Sequence, residues 1–458
     1  MTSVTSMRET GRSCSSVNTM KDKEPGLVQF NREPIINVFG VVVCFFLCSS
    51  AITLCSSNYS GPGSRMDAVV ITYDVAFIDV MSALFVLSGF TWSWVYVNTP
   101  KDDFTVLQHY GLLSLYIDLT LSSVLSVLIG SIYNIINANF HALDVIATLI
   151  EGFTGVRCLD YSQDKNHWHS LNVASWPVQS LMWCIITAKA TYTFNAKITE
   201  RFGARGYYII SVLSIFGVLI FTIFGVMHSD TNIFYSNATS FTYRTMEFNL
   251  GLHFYFLVCQ DEVCSHVLWG FLHHFRGVIY MLFVCIWWSE VGVAVSPFDE
   301  NEEVCLRLYY MNNCLPGHHV FMLRGCILGL AMITSLPDMA DQVEASVVHM
   351  IPTARALCTA ISFCWPVYMT TKIVLDISFG KDAVNSNRAL VAIIMPFIGT
   401  AFAFLYDSLV KTHLLDLAVC AYAQMAVFFS SMLGRPYTTP VCEPLKQPVA
   451  GLDGVDEI

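Results

Sequence analysis

Apolar runs of bilayer-spanning length recur along this chain, and no other feature restricts its fold so tightly. The first, residues 35–54, contains VFGVVVCFFLCSSAITL, and the second, residues 77–97, contains SALFVLSGFTWSWVYV. A helix that crosses the hydrocarbon core of a bilayer needs about 20 largely apolar residues. Backbone N–H and C=O groups find no water there, so such a run must satisfy them within itself. Repetition of the pattern predicts an all-α fold, a polytopic transmembrane helical bundle of about ten to eleven spans.

Further runs follow at 107–129, 169–188, 206–227, 247–258, 273–293, 320–336, 357–377, 389–404 and 414–433. The apolar stretch 141–151 is too short to cross and reads as an interfacial or re-entrant helix. The polar stretch PDMADQVEASVVHMIPTAR reads as an amphipathic surface helix. Composition agrees with a lipid solvent: 54% of the 458 residues are hydrophobic and 13% charged, where soluble chains carry about 25% charged residues. The chain divides into a disordered cytosolic tail over 1–29, a transmembrane domain over 30–434 and a short polar tail over 435–458. The first segment holds no apolar core that would serve as a cleavable signal peptide.

The net charge of -11 and the lack of a basic stripe exclude nucleic acid as a default partner, because backbone recognition needs clustered Lys and Arg. Membrane lipid is the expected surrounding. Lys189, Lys197, Arg201 and Arg205 form the densest basic stretch between spans, which the positive-inside rule places in the cytosol. That orientation puts the amino terminus inside and leaves Asn58 and Asn237, each opening an N-x-S/T sequon, outside and open to glycosylation. Many of the 16 cysteines lie within apolar runs and read as small buried hydrophobes. Cys305 and Cys314 lie in a polar loop and would pair as a disulfide if that loop faces an oxidising lumen.

An ionisable side chain inside a span costs several kcal/mol, so it normally faces a partner or a wet cavity. Arg244 and Glu247 in YRTMEFNLG are three residues apart on one helix face, within pairing distance. Capping, or an interfacial ion pair that positions the span, is the plainer role, and ligand binding the sharper one. Other such groups are Asp74, Asp79, Asp118, Arg276, Arg324, the Lys372/Asp376 pair, and Asp407 with Lys411, read as a pair just beyond the tenth span. His253, His273 and His274 are candidate general bases, although adjacent histidines project about 100 degrees apart on a helix. No Cys/His spacing suggests a metal site, and neither a glycine-rich phosphate loop nor a G-x-S-x-G elbow occurs. No fixed-period repeat is visible, and the oligomeric state is not encoded in any pattern found.

FVLSGF at residues 85–90 closely resembles the signature of the acyltransferase-3 family of polytopic membrane O-acyltransferases, and the stretch 77–90 is similar to its glucan succinyltransferase branch. Further likenesses follow in the family's order. NREPIINVFG, with Arg32, resembles the first-helix start, and HSLNVASW at 169–176 resembles a mid-chain W-S-L-S-V-E element. Arg244, Glu247, Phe248 and Gly251 match R-x-x-E-F-x-x-G, while Trp365, Pro366, Val367 and Tyr368 resemble a late aromatic-Pro-aliphatic-Tyr element. The resemblance spans residues 31–410. Read from the residues alone, Ser88 and Gly89 make a notch where another helix can approach.

The resemblance implies transfer of an acyl group from acyl-CoA, as co-substrate rather than resident cofactor, to a hydroxyl of a sugar or other acceptor. It marks Arg244, Glu247, Ser88 and Asp79 as substrate-binding candidates. The family's first-helix arginine and histidine fall at Phe39 and Ser50, its nearby aspartate at Ile36, its mid-chain glutamate at Ala174 and its late histidine at Thr371. Phenylalanine can neither accept a proton nor stabilise an oxyanion, and serine without a base is a poor nucleophile. Two alternatives therefore stand beside acyl transfer: an inactive relative that binds lipid or an acyl ligand or serves as a scaffold, and a membrane transporter.

Overall fold

Every element in the computed structural model is helical, as the repeated apolar runs require. The structure describes residues 47–48, 65–98, 101–136, 141–155, 171–172, 175–227, 241–259, 269–295, 318–335, 354–380 and 388–432. Among them run helices α1 (Arg65–Asn98), α2 (Lys101–Ile136), α3 (Ala142–Thr154), α4 (Trp176–Met227) and α5 (Phe241–Cys259). There follow α6 (Arg276–Val295), α7 (His318–Thr334), α8 (Ala354–Phe379), α9 (Arg388–Tyr406) and α10 (Thr412–Met432). Among the described residues three stretches are long and apolar enough to cross a membrane: Asp79–Val97, Gln108–Ile135 and Ile393–Ala421.

Helix α1 occupies the centre. Residues 79–90 are buried on every side, which suits a helix that is apolar all round. It lies between α5 and α7, and small residues set both approaches. A Cβ at Gly89 would overlap the Phe248 carbonyl, and one at Gly251 would overlap the Val86 carbonyl, so α1 and α5 touch backbone to backbone. Gly325 of α7 sits over Ser82, and Gly329, four residues on, meets Val86. This is the small-xxx-small packing of membrane helices, where close van der Waals contact replaces the hydrophobic drive that lipid cannot supply. Around the junction Phe85, Phe90, Phe248, Leu252, Tyr255 and Tyr368 join one apolar core.

The periphery is inverted relative to a water-soluble protein. Val278, Met281 and Leu282 of α6, Ile393 and Phe397 of α9, and Leu417 of α10 are all exposed. Helix α3 repeats this inversion on a small scale. Its Leu143, Ile146, Ile150 and Phe153 point outward, while Asp144, Thr148 and Glu151 are buried. With 13 residues it reaches only about 20 Å, which fits a helix lying at the interface rather than across the core.

Two expectations about spans are corrected. Residues 189–202, read as a loop, continue α4 as helix, and the non-helical backbone comes at Gly203 with φ 66 and ψ -169. The stretch AKATYTFNAKITERF has neither glycine nor proline to stop a helix, so the basic side chains of Lys189, Lys197 and Arg201 project from a helical extension. Likewise the tenth and eleventh expected spans are not separated by a loop. Residues Asp407–Lys411 form a π-helical turn flanked by helical Tyr406 and Thr412, so α9 and α10 run on as one helix. The charges that suggested a loop are buried instead, through contacts described below.

Candidate functional site

Arg244 sits on α5 facing α1, about two helical turns before Gly251. Because Gly89 and Gly251 bring the two backbones together, the guanidinium has no route to lipid or water, and it is 3% exposed. It therefore needs partners within the bundle, since a charge transferred out of water without them is prohibitively costly. Its Nη1 donates to Glu247 Oε2 at 2.7 Å, the i,i+3 partner expected from sequence, and to Ser82 Oγ of α1 at 3.0 Å. The rings of Phe85 and Trp176 lie 5.3 and 5.2 Å from the guanidinium carbon. Both are within the range where an aromatic face stabilises a cation.

Trp176 is delivered by the start of α4. Asn172 is buried, and its carbonyl accepts hydrogen bonds from the Ser175 backbone N–H and from Ser175 Oγ at 2.9 Å. Asn172 Nδ2 donates to Ser122 of α2 at 3.2 Å. Pro177 then occupies the first turn, where a missing N–H costs nothing. Helix α4 begins at Trp176, and Asn172 and Ser175 just before it are engaged in these polar contacts.

Three of the sequence elements that carry the family resemblance thus converge on one guanidinium: FVLSGF through Phe85, HSLNVASW through Trp176, and R-x-x-E-F-x-x-G itself. The late element closes a different junction. Tyr368 donates its hydroxyl hydrogen to the Leu47 carbonyl at 3.1 Å, and Gly399 of α9 packs on its ring.

The other candidates are dispersed. Asp79 is fully buried one turn before Ser82, with its carbonyl against Gly325. Ser88 donates to the Leu84 carbonyl of its own helix at 2.7 Å and lines a narrow apolar pocket with Leu84, Phe85, Leu115, Val178 and Ile361. Phe85 borders both that pocket and the guanidinium. His253 is buried in α5. His273 Nδ1 lies 3.1 Å from the Thr334 carbonyl and stacks on Trp269, while His274 is exposed and meets Phe275 edge-on. The two adjacent histidines therefore serve different surroundings. Thr371, at the position of the family's late histidine, donates to the Val367 carbonyl at 2.8 Å.

Asn58, Asn237, Cys305, Cys314, Arg32, Phe39, Ser50 and Ala174 lie outside the described residues, as does most of the expected surface helix after Leu336. Among the described residues no group of three His, Cys, Asp or Glu side chains lies together in a way that would hold a metal ion.

A second polar centre joins α2, α8 and the π-helical turn. Lys411 Nζ donates to Asp118 Oδ2 at 2.6 Å and to Thr359 Oγ1 at 2.7 Å, and Thr359 donates to the same Asp118 oxygen at 2.9 Å. Asp118, Thr359 and Lys411 are all fully buried. Sequence placed Asp118 inside the third span and read Lys411 as the partner of Asp407 just beyond the tenth. The structure leaves that contact at 3.9 Å, beyond hydrogen-bonding distance, and gives the close contact to Asp118. Two signals were available for the Arg244 site beyond the motif: Ser82, two turns before Gly89 on a small-residue face, and the Gly325/Gly329 spacing. No local signal links residue 118 to residue 411.

Comparison with protein-family models, with curated proteins and with solved structures gives no match to this chain.

Proposed function

We propose that this chain is an acyltransferase-3-like membrane protein, threaded about ten times through the bilayer, which binds an acyl donor such as acyl-CoA and passes the acyl group to a hydroxylated acceptor. One observation carries the reading. Three sequence elements that resemble the family, separated by up to about 160 residues, meet at Arg244 through Phe85, Trp176 and the Glu247 pair. Unrelated motif matches scattered by chance would have no reason to share a contact. The small apolar pocket beside Ser88, between α1, α2, α4 and α8, would have to widen before it could take the first carbons of an acyl chain.

A second reading is favoured by how fully Arg244 is engaged. Its guanidinium already neutralises Glu247 and bonds Ser82, and the Ser88 hydroxyl is spent on its own helix. General base catalysis needs a free acceptor within hydrogen-bond reach of the nucleophile. On this reading the element is kept as architecture, and the protein holds an acyl ligand or lipid without turning it over.

Purified full-length protein in detergent separates the two. Acyl-CoA hydrolysis or transfer above background, lost in an Arg244→Lys variant that still folds, supports the enzyme. Saturable binding of acyl-CoA without turnover supports the non-catalytic relative. Neither binding nor turnover, in protein that melts cooperatively, rejects both.

A further inference from the structure

The Asp118 centre carries an inference independent of acyl chemistry. Asp118 stands in the middle of the apolar stretch Gln108–Ile135, and Lys411 in the middle of Ile393–Ala421. Ionisable groups at such depth are functional-site candidates by default, because a hydrophobic pair would hold the helices at less cost. A π-helical turn, rare in itself and enriched at functional sites, presents Lys411 and Asp407 to the same space.

The hydrogen bonding is lopsided. Asp118 Oδ2 accepts from both Lys411 and Thr359, while Oδ1 of the same carboxylate is buried and accepts nothing among the described residues. The Tyr406 hydroxyl at the end of α9 lies beside Asp118, yet its oxygen too is buried without hydrogen-bond geometry to any described group. Two neighbouring residues of this centre thus each bury an unsatisfied oxygen. Lys411 also has a second carboxylate within ion-pair distance: Asp407 Oδ1 is 3.9 Å from its nitrogen, one turn back on the same helix.

We infer that Asp118, Tyr406, Lys411 and Asp407 form a proton-binding site within the membrane. A proton from the aqueous phase adds to Asp118 Oδ1, and the new O–H donates to the Tyr406 hydroxyl. Asp118 becomes neutral, and the Lys411 ammonium moves to Asp407, so that each remaining charge keeps an opposite partner. The interhelical pair between α2 and the π-helical turn is exchanged for a pair within one helix. Proton uptake therefore releases α2 from the α9–α10 helix. Among the described residues, the charged and titratable groups facing Asp118 are Asp407 and Lys411 from the turn and Tyr406 from α9, while α8 supplies Thr359. His413 and Asp416 of α10 are exposed, and Lys372 and Asp376 lie about three and a half turns or more further along α8.

Infrared difference spectra of the full chain in lipid nanodiscs, recorded between neutral and acidic buffer, test this directly. The wild type gains a protonated-carboxyl C=O band as pH falls, and Asp118→Asn loses it. Asp407→Asn, which removes the alternative partner for Lys411, shifts the band so that roughly tenfold more acid is needed. Tyr406→Phe shifts it in the same direction by less. If Asp118→Asn does not fold, the Asp118→Asn/Asp407→Asn/Lys411→Met triple variant, which removes both carboxylates together with the ammonium, serves in its place. A band that survives removal of Asp118, or that is absent from folded wild type at every pH, overturns the site. An unshifted band in Asp407→Asn overturns the lysine transfer.

Discussion

The Arg244 and Asp118 centres are both buried ion pairs, yet they are built in opposite ways. Arg244 and Glu247 are three residues apart on one helix, so their pairing forms as soon as α5 does. Tertiary structure then adds Ser82, Phe85 and Trp176 around a charge that is already neutralised. Asp118 and Lys411 are 293 residues apart and meet only when α2, α8 and the α9–α10 helix are packed. The first pair is surrounded by glycine-mediated backbone contact that leaves no slack. The second retains a bare oxygen, an idle hydroxyl and a second carboxylate. A locally satisfied charge can anchor packing, whereas one satisfied across helices links the packing to its own protonation.

The comparison breaks most readily at the glycines. Gly251→Val places a side chain into the Val86 carbonyl and should abolish folding, read as loss of the monodisperse detergent-solubilised peak. Recovery of a folded Gly251→Val protein with an unchanged melting temperature would show that α1 and α5 do not touch as described. Next in size, Lys411→Met strands Asp118 in the interior and should cost about 3–5 kcal/mol in chemical unfolding. Adding Asp118→Leu should restore much of that loss, because the pair as a unit contributes little beyond its own desolvation. Additive losses in the double variant would contradict a direct pair.

Arg244→Lys sharpens the contrast further. It keeps the charge beside Glu247 but loses the planar contact with two rings, so it should cost about 1–2 kcal/mol, less than Lys411→Met. The smallest effect belongs to Ser88→Ala. Its hydroxyl bonds only its own helix backbone, an arrangement of little net value, so the change in unfolding free energy should stay within about 1 kcal/mol. A larger loss would mean that Ser88 has a partner across the pocket.

Legibility followed the range of the interaction. The all-helical class was readable because each apolar run satisfies its backbone internally. Arg244 with Glu247, and the notch at Ser88 and Gly89, were readable because helical periodicity fixes which neighbours share a face. Misreadings arose where a charge was taken as a sign of water. Lys189 to Arg201 and Asp407 to Lys411 both suggested loops, yet one set lies on a helical extension and the other is buried. Hydropathy records what a residue costs in lipid, not whether another helix supplies its partner.

By itself, then, the sequence determined the solvent of this protein, the helical state of its chain and the local ion pair on α5, since these depend on backbone satisfaction and on neighbours within one turn. Tertiary structure alone decided that Trp176 and Phe85 enclose Arg244, that Lys411 makes its closest ion pair with Asp118 as well as a longer one with Asp407, and that α9 continues into α10. Those outcomes depend on which helix faces lie together, and the energy that selects them is spread over contacts hundreds of residues apart.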